Sequence, residues 1–368
     1  MALLLNRFQG VLLAFLIMVL LAGRFESLVT TTTVHQIDFW AAWLVCMVLL
    51  TFPILLLESA LAKRTQTLPL QALPALTRDA DASTKWRGVG WLAIGSMLLL
   101  AGALNSQFTT LSAEIVKHNA GSTTEVDVLP FAIILLVAAL STLGKWLPLV
   151  GTIGLVVLAG FSLLQPTAAE STWQMTNFAF TEWSGAVALA LAATGVGIGL
   201  YWQSALSGYS INSRYKVLPI WIAQIVGGAV VAVGLVDFNA ANDLNVALYG
   251  MALLSGAAVL LSFARHQLSA RGLPIIVIWV VLLVSLAIWV LPIKTSLLPL
   301  AMASTIVVAA VYAIFSGWKM KSSHLRKALD FNNEALYNLW RVMVRLVVPL
   351  AVLIALIGLV EQYFVGIQ

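Results

Sequence analysis

An all-α polytopic membrane protein of about eleven transmembrane helices is the fold class this sequence predicts, and three observations predict it. Only 10% of the 368 residues are charged and 61% are hydrophobic, whereas a soluble domain carries roughly a quarter charged residues. The mean hydropathy is +0.98. Apolar runs recur along the whole chain, many of them near the ~20 residues that cross a bilayer. Lipid offers a backbone no hydrogen-bond partners, so each run must satisfy its own N–H and C=O groups, which selects helices.

The expected spans are 8–28, 39–61, 88–112, 129–143, 146–165, 185–207, 217–236, 246–264, 273–291, 297–316 and 342–360. The first opens after Arg7 and resembles a secretory leader, but it lacks a small-residue cleavage site and reads as a span. The second closes on Lys63 and Arg64, and the third opens after Arg87. Gly144 and Lys145 divide the fourth from the fifth. The sixth carries Gly195, Gly197 and Gly199. Basic residues flank the later runs: Lys216, Arg265, Arg271, Lys294 and Arg341.

Charge then predicts orientation. With the N-terminus in the cytoplasm, seventeen of the twenty Lys and Arg residues fall inside, leaving Arg24, Lys117 and Lys294 outside. Short loops orient by their Lys and Arg content, so the expected topology is N-terminus in and C-terminus out. The chain reads as a single transmembrane domain over 1–368. Two cytoplasmic segments, 62–87 and 318–341, mix leucine with basic residues. In the second, Leu325, Leu329, Leu336, Tyr337 and Trp340 recur at near-helical spacing, and both segments are expected to lie in the interface as amphipathic helices. Trp86, Trp91, Trp146, Trp183, Trp289 and Trp318 fall near predicted interfaces, as an aromatic belt requires.

Several function classes are excluded. The single cysteine, Cys46, lies in an apolar run, so no intrachain disulfide and no cysteine-based metal site is expected. His35, His118, His266 and His324 sit far apart without metal-ligand spacing. No phosphate loop, nucleophile elbow or redox pair occurs, so the chain does not read as an enzyme. Its basic residues set topology rather than bind nucleic acid, and no cofactor is expected. The partner the composition demands is the lipid bilayer.

A few polar residues inside spans are the candidates for function. Apart from Glu26, two residues from the end of the first span, Glu58 is the one acid placed within a span, and such groups are costly and functional by default. It either faces the core or reaches back toward Lys63 and the surface. Gly195, Gly197 and Gly199 either open the sixth helix or allow close packing of neighbours. Asn105, Gln107, Gln203 and Gln224 either line a pathway or hydrogen-bond across helices.

Four motifs, in chain order, resemble the neurotransmitter:sodium symporter family. FPILLLESALAKRT at 52–65 is similar to its second helix, with Pro53, Glu58, Ala60 and Lys63–Arg64 in matching places. WRGVGWLAIG at 86–95 resembles the entry to its third helix. The glycines at 195, 197 and 199 resemble the break in its sixth helix, and VMVRLVVPLAV at 342–352 its eleventh, with Arg345 and Pro349. The resemblance implies a leucine-transporter-like fold in a bacterial inner membrane. Repeat one would cover about 8–165, an inverted repeat two about 185–316, and an additional helix about 342–360. It implies substrate and sodium sites beside breaks in the first and sixth helices, and it gives Glu58 the role of holding that broken backbone.

Four departures weaken the usual activity. LIMVLLAGRFE at 16–26 has no asparagine and no polar break. ALNSQF at 103–108 has no tyrosine, and SGAAVLLS at 255–262 places aliphatic residues where hydroxyls would ligate sodium. The tenth span has no acid to face Arg24 as an outer gate. Sodium ligands are therefore missing. Two readings follow: alternating-access transport of a small organic solute, perhaps an amino acid, with sodium coupling doubtful, or a non-transporting subunit that serves membrane-protein partners in a complex. A polar central cavity favours the first reading and a core filled by side chains the second.

Overall fold

The computed structural model describes residues 2–29, 34–120, 128–164, 172–176, 179–195, 199–202, 217–236, 238, 243–291, 294–329, 331 and 333–365. Among these, regular structure is helical apart from one isolated parallel bridge between Gln36 and Gln174. Seven helical stretches are long and apolar enough to cross a membrane, and three shorter apolar helices accompany them.

Helix α1 (Ala2–Val29) runs unbroken for 28 residues. Six successive residues, Leu16 to Leu21, are at most 1% exposed. A helix buried on every side belongs at the centre of a bundle, and α6, α7 and α8, defined below, pack around it.

Helix α2 (Ile37–Thr65) passes through a π-turn at Met47–Thr51, just ahead of Pro53. Proline brings no N–H to the ladder, and a π-turn loosens the ladder locally. Neighbours take up the carbonyls. Trp221 Nε1 donates to Met47 O at 2.8 Å, and Trp340 Nε1 donates to Pro53 O at 2.9 Å. The helix ends at Gln66, in the left-handed region at φ 53°.

Helix α3 (Pro69–Asp79) is one of the two expected interfacial segments: Leu70, Leu73 and Leu76 are buried and Arg78 is exposed. Helix α4 (Gly88–Ala120) follows. Helices α5 (Leu129–Leu140) and α6 (Leu147–Leu164) are divided at Gly144, whose φ of 57° and ψ of −111° stop the helix where the sequence placed the break.

Helix α7 (Phe180–Ala193) departs from expectation. The apolar run at 185–207 predicts one continuous span, yet the helix stops at Ala193. Gly195 (φ 61°) and Gly199 (φ 87°) hold conformations that a side chain would strain, and a helical turn resumes at Leu200–Trp202.

The remaining helices are α8 (Val217–Ala232), α9 (Asp243–Ala270), α10 (Ile275–Ala287), α11 (Lys294–Ile314), α12 (Ser322–Leu329), α13 (Glu334–Val342) and α14 (Val348–Val365). The second interfacial segment is thus two short amphipathic helices, α12 and α13, and a π-turn at Met343–Val347 joins α13 to α14.

Contacts sort the connections into two sets. On one face Arg64 pairs with Asp79 at 2.7 Å and lies 3.0 Å from His324 Nδ1, while Arg265 donates to Ser141 O at 3.3 Å. Lys321 bonds to Asp81 at 2.9 Å, and its ammonium holds the Asp81 carboxyl below the usual carboxylate range. On the opposite face His35 N–H donates to Ala232 O at 2.9 Å. There Asp38 accepts from the N–H and hydroxyl of Thr176 at 2.9 and 2.6 Å, and Gln36 donates to Glu182 at 2.6 Å.

Trp91, Trp146, Trp183 and Trp318 are exposed, as a belt residue would be. Trp289 is not: it is 3% exposed, because Gly102 of α4 leaves a hollow that its ring fills. A side chain at Gly102 would overlap that ring, whereas one at Gly95, two turns earlier along α4, meets nothing. Gly102→Leu should therefore lower the apparent Tm of the detergent-purified protein by several degrees, an overpacking cost of about 1–3 kcal/mol. Gly95→Ala should leave it unchanged or higher, since alanine is the better helix former.

Candidate functional site

Breaking α7 exposes backbone groups at mid-chain, and inside a membrane those groups need protein partners. The carbonyl of Ala193, the last helical residue of α7, receives two donors. Gln224 Nε2 of α8 reaches it at 2.7 Å and Tyr201 OH at 3.1 Å. Gln224 also donates to Tyr201 OH at 2.9 Å, which fixes the pair. Beyond the break Glu58 Oε1 accepts from the N–H of Trp202 at 2.8 Å. A carboxyl group beside the first N–H groups of a helix is favourably placed. Trp202 Nε1 donates in turn to Thr67 O at 2.8 Å, so the chain after the break is tied to the end of α2 and the start of α3.

Glu58 is 1% exposed and faces the core, not the surface toward Lys63. Thr51, two turns earlier on α2, donates to Ala190 O at 3.1 Å and anchors the last turn of α7. A buried polar lining remains beyond these bonds. Glu58 Oε2 and the hydroxyls of Tyr312 and Ser316 on the α11 side have no hydrogen-bond partner among the described residues.

The glycines have distinct parts. A Cβ on Gly195 would meet Leu200 at 2.7 Å, and one on Gly199 would meet Gln267 Nε2 at 2.6 Å. Both are needed for the turn as well as for its packing. Gly197 and Gln203 lie outside the described residues.

Asn105 and Gln107 belong to a second polar group. Asn105 is 3% exposed and Gln107 is half-buried, both on α4, and the side-chain oxygen of each has no partner among the described residues. Beside them Arg24 of α1 donates to Ala103 O at 2.8 Å and to Ser106 Oγ at 3.1 Å. Arg24 is thus bound to α4 rather than to an acid. Helices α1 and α2 run in opposite directions between the two loop sets, so Arg24 and Glu58 sit toward opposite faces. No hydrogen bond joins the two groups among the described residues.

Between them lies the leucine-rich middle of α1. Glycines on three neighbours receive it: a Cβ at Gly227 would meet Met18, one at Gly151 would meet Leu16, and one at Gly256 would overlap Leu20. Ala258, Val259, Leu260 and Leu261 of α9 are buried in the same core. Sodium does not fit here. An unbroken helix keeps its carbonyls in its own ladder, and the side chains of Leu16–Leu21 offer no oxygen.

The sequence singled out Glu58, Gln224 and the glycines, but not Thr51, Tyr201, Trp202, Tyr312 or Ser316. The hydroxyl of Thr51 immediately before Phe52–Pro53 was the one local signal available.

No family model and no curated protein matches the sequence. Solved structures do match. MhsT in complex with L-phenylalanine superposes with a TM-score of 0.70 at 16% identity, covering 96% of this chain and 98% of that one. A mutant of the Eremococcus coleocola manganese transporter gives 0.58 at 12% identity, covering 97% and 86%. The same transporter with an aromatic bis-isothiourea compound gives 0.58 at 12%, covering 98% and 88%. The chain therefore has the leucine-transporter-like fold over nearly its whole length, and these neighbours are membrane transporters, not enzymes.

Removing the acceptor for Trp202 tests the account of the break. Glu58→Leu should cost about 1–3 kcal/mol, the usual price of an unsatisfied buried donor, and Glu58→Gln, which keeps an acceptor oxygen, should cost clearly less. Thermal unfolding of both variants by tryptophan fluorescence decides it; equal losses would mean that Glu58 does not hold the break.

Proposed function

We propose that the chain is a secondary transporter that moves a small organic solute by alternating access and does not couple to sodium through its first helix. The observation that carries this reading is the break in α7. Discontinuous helices mark the binding region of transporters, because irregular backbone survives at membrane depth only beside a cavity or inside protein. Here the break is kept, with Glu58 on its N–H side and Gln224 and Tyr201 on its carbonyl side. The fold shared with transporters supports the class. MhsT is bound to L-phenylalanine in its structure, which supports an amino acid as solute.

On this reading the 36-residue stretch Leu129–Leu164 is two spans divided at Gly144, and with the three shorter apolar helices the count becomes eleven. The N-terminus is cytoplasmic, the C-terminus faces out, and the face bearing α3, α12 and α13 lies inside. One transmembrane domain over 1–368 comprises repeat one (about 8–165), repeat two (about 185–316) and an additional helix (about 342–360). Glu58, Gly195, Gly197, Gly199 and Gln203 form the inner half of the pathway, and Asn105 and Gln107 the outer half.

One observation favours a second reading. The middle of α1 is unbroken and packed with leucine, as suits a transporter scaffold that has become a subunit of a membrane complex.

Uptake into proteoliposomes separates the two. Transport predicts accumulation of an apolar amino acid that is indifferent to replacing sodium with potassium and falls at least tenfold in Gly195→Val. No uptake under any cation, together with a membrane protein that co-purifies at a fixed ratio, would establish the second reading instead.

A further inference from the structure

The segment that carries the short helices α12 and α13 is strongly basic. Residues 318–341 contain five Lys or Arg (Lys319, Lys321, Arg326, Lys327 and Arg341) against two acids, Asp330 and Glu334. Four neutral residues fix these helices to the bundle. Leu325, Leu329, Tyr337 and Trp340 are buried, Tyr337 OH donates to Ser322 O at 2.8 Å, and Trp340 Nε1 is bonded to Pro53 O. The helices are therefore held in place while their charged side remains open.

That side forms an open cleft of about 500 Å3 between α12 and α13. Arg326, Lys327 and Arg341 supply its cations, and Ser323 and Asn338 add neutral donors. Glu334 also lines it but is engaged by Arg326 at 3.3 Å. Lys327 and Arg341 form no ion pair among the described residues. Two cations with no acid partner among the described residues, beside a hydroxyl and an amide, make a pocket for an oxyanion, and arginine in particular offers a planar fork to phosphate oxygens.

Depth decides the source of that phosphate. The outward side of α14 and the π-turn before it carries a stripe of exposed apolar residues, Leu346, Leu350, Leu353, Ile357 and Val360, at three- and four-residue spacing. The stripe continues without interruption through the π-turn into α13 as Leu336, Leu339 and Val342, each about half exposed. A stripe of this kind faces acyl chains, so the apolar edge of α13 lies at the top of the hydrocarbon. Trp318 is 55% exposed with the Arg345 guanidinium 4.5 Å over its ring, and both are residues of the membrane interface. The basic pocket therefore opens at the level of the headgroups, beside the place where the acyl chains of a lipid would run.

The geometry points to a binding site for an anionic phospholipid in the pocket between α12 and α13, with the phosphate held by Lys327 and Arg341 and the acyl chains laid along Leu339, Val342 and Leu346. Arg326 is neutralised by Glu334 and shapes the pocket more than it holds the ligand.

Native mass spectrometry of the detergent-purified full chain, titrated with phosphatidylglycerol or phosphatidylcholine, tests this. Phosphatidylglycerol should bind at least tenfold more tightly. The double variant Lys327→Gln/Arg341→Gln should lose about 25-fold of that affinity, about fivefold for each basic residue near an anionic headgroup. Arg87→Gln, a basic position elsewhere on the same face, should behave as the wild type. Ser323→Glu, which places a negative charge in the pocket, should also abolish the preference, and it decides the matter alone if the double variant does not elute as a single species. Equal binding of the two lipids, or wild-type binding by the variants, would overturn the site. Displacement of phosphatidylglycerol by millimolar inorganic phosphate would reassign it to a free anion and overturn the lipid.

Discussion

A backbone inside lipid must find every hydrogen bond within the protein, and the rest of this structure is arranged around the one place where α7 cannot supply its own. Between Ala193 and Leu200 the ladder stops, and three side chains from other elements complete it: Glu58, Tyr201 and Gln224. Each is buried, and each is polar where an apolar residue would pack more cheaply. Their cost is tolerated because leaving a carbonyl and an N–H bare would cost more. The π-turn of α2 is tied to its neighbours in the same way: tryptophans from α8 and α13 donate to the carbonyls of Met47, at its start, and Pro53, just past its end.

Much of this was legible in the sequence because the responsible signals are local. Run length against bilayer thickness locates helices, and Gly144 marks the division of α5 from α6. Glu58 stands out because an acid in an apolar run has no neutral explanation. The end of α7 was less legible. Val196 and Ile198 keep the run apolar across the glycines, so hydropathy carries the span forward while the helix stops at Ala193. The partners of the break were invisible for another reason: Trp202 and Glu58 are 144 positions apart, and Gln224 reaches Ala193 across 31. Trp289 shows the same limit, since only the hollow at Gly102, in another helix, makes burial of its ring possible.

The two polar groups and the apolar middle also bear on how a familiar fold can be reused. The neighbours share the path of the chain at 12–16% identity, a distance at which the scaffold persists while residues lining its centre are free to change. In this chain a carboxyl on α2 answers the broken backbone after α7, and the middle of α1 is a rod of leucine, isoleucine, methionine and valine.

That rod has an electrical consequence. From Leu16 to Leu21 it fills about 9 Å of the membrane normal at 1.5 Å per residue, with nothing along it to hold a water molecule or an ion. A bilayer that carries a potential loses it through any continuous file of water, and each charge that crosses dissipates about 2.3 kcal/mol per 100 mV. With polar groups toward the two ends and a buried apolar segment between them, α1 offers no file of side chains along which water could carry charge through the centre of the bundle.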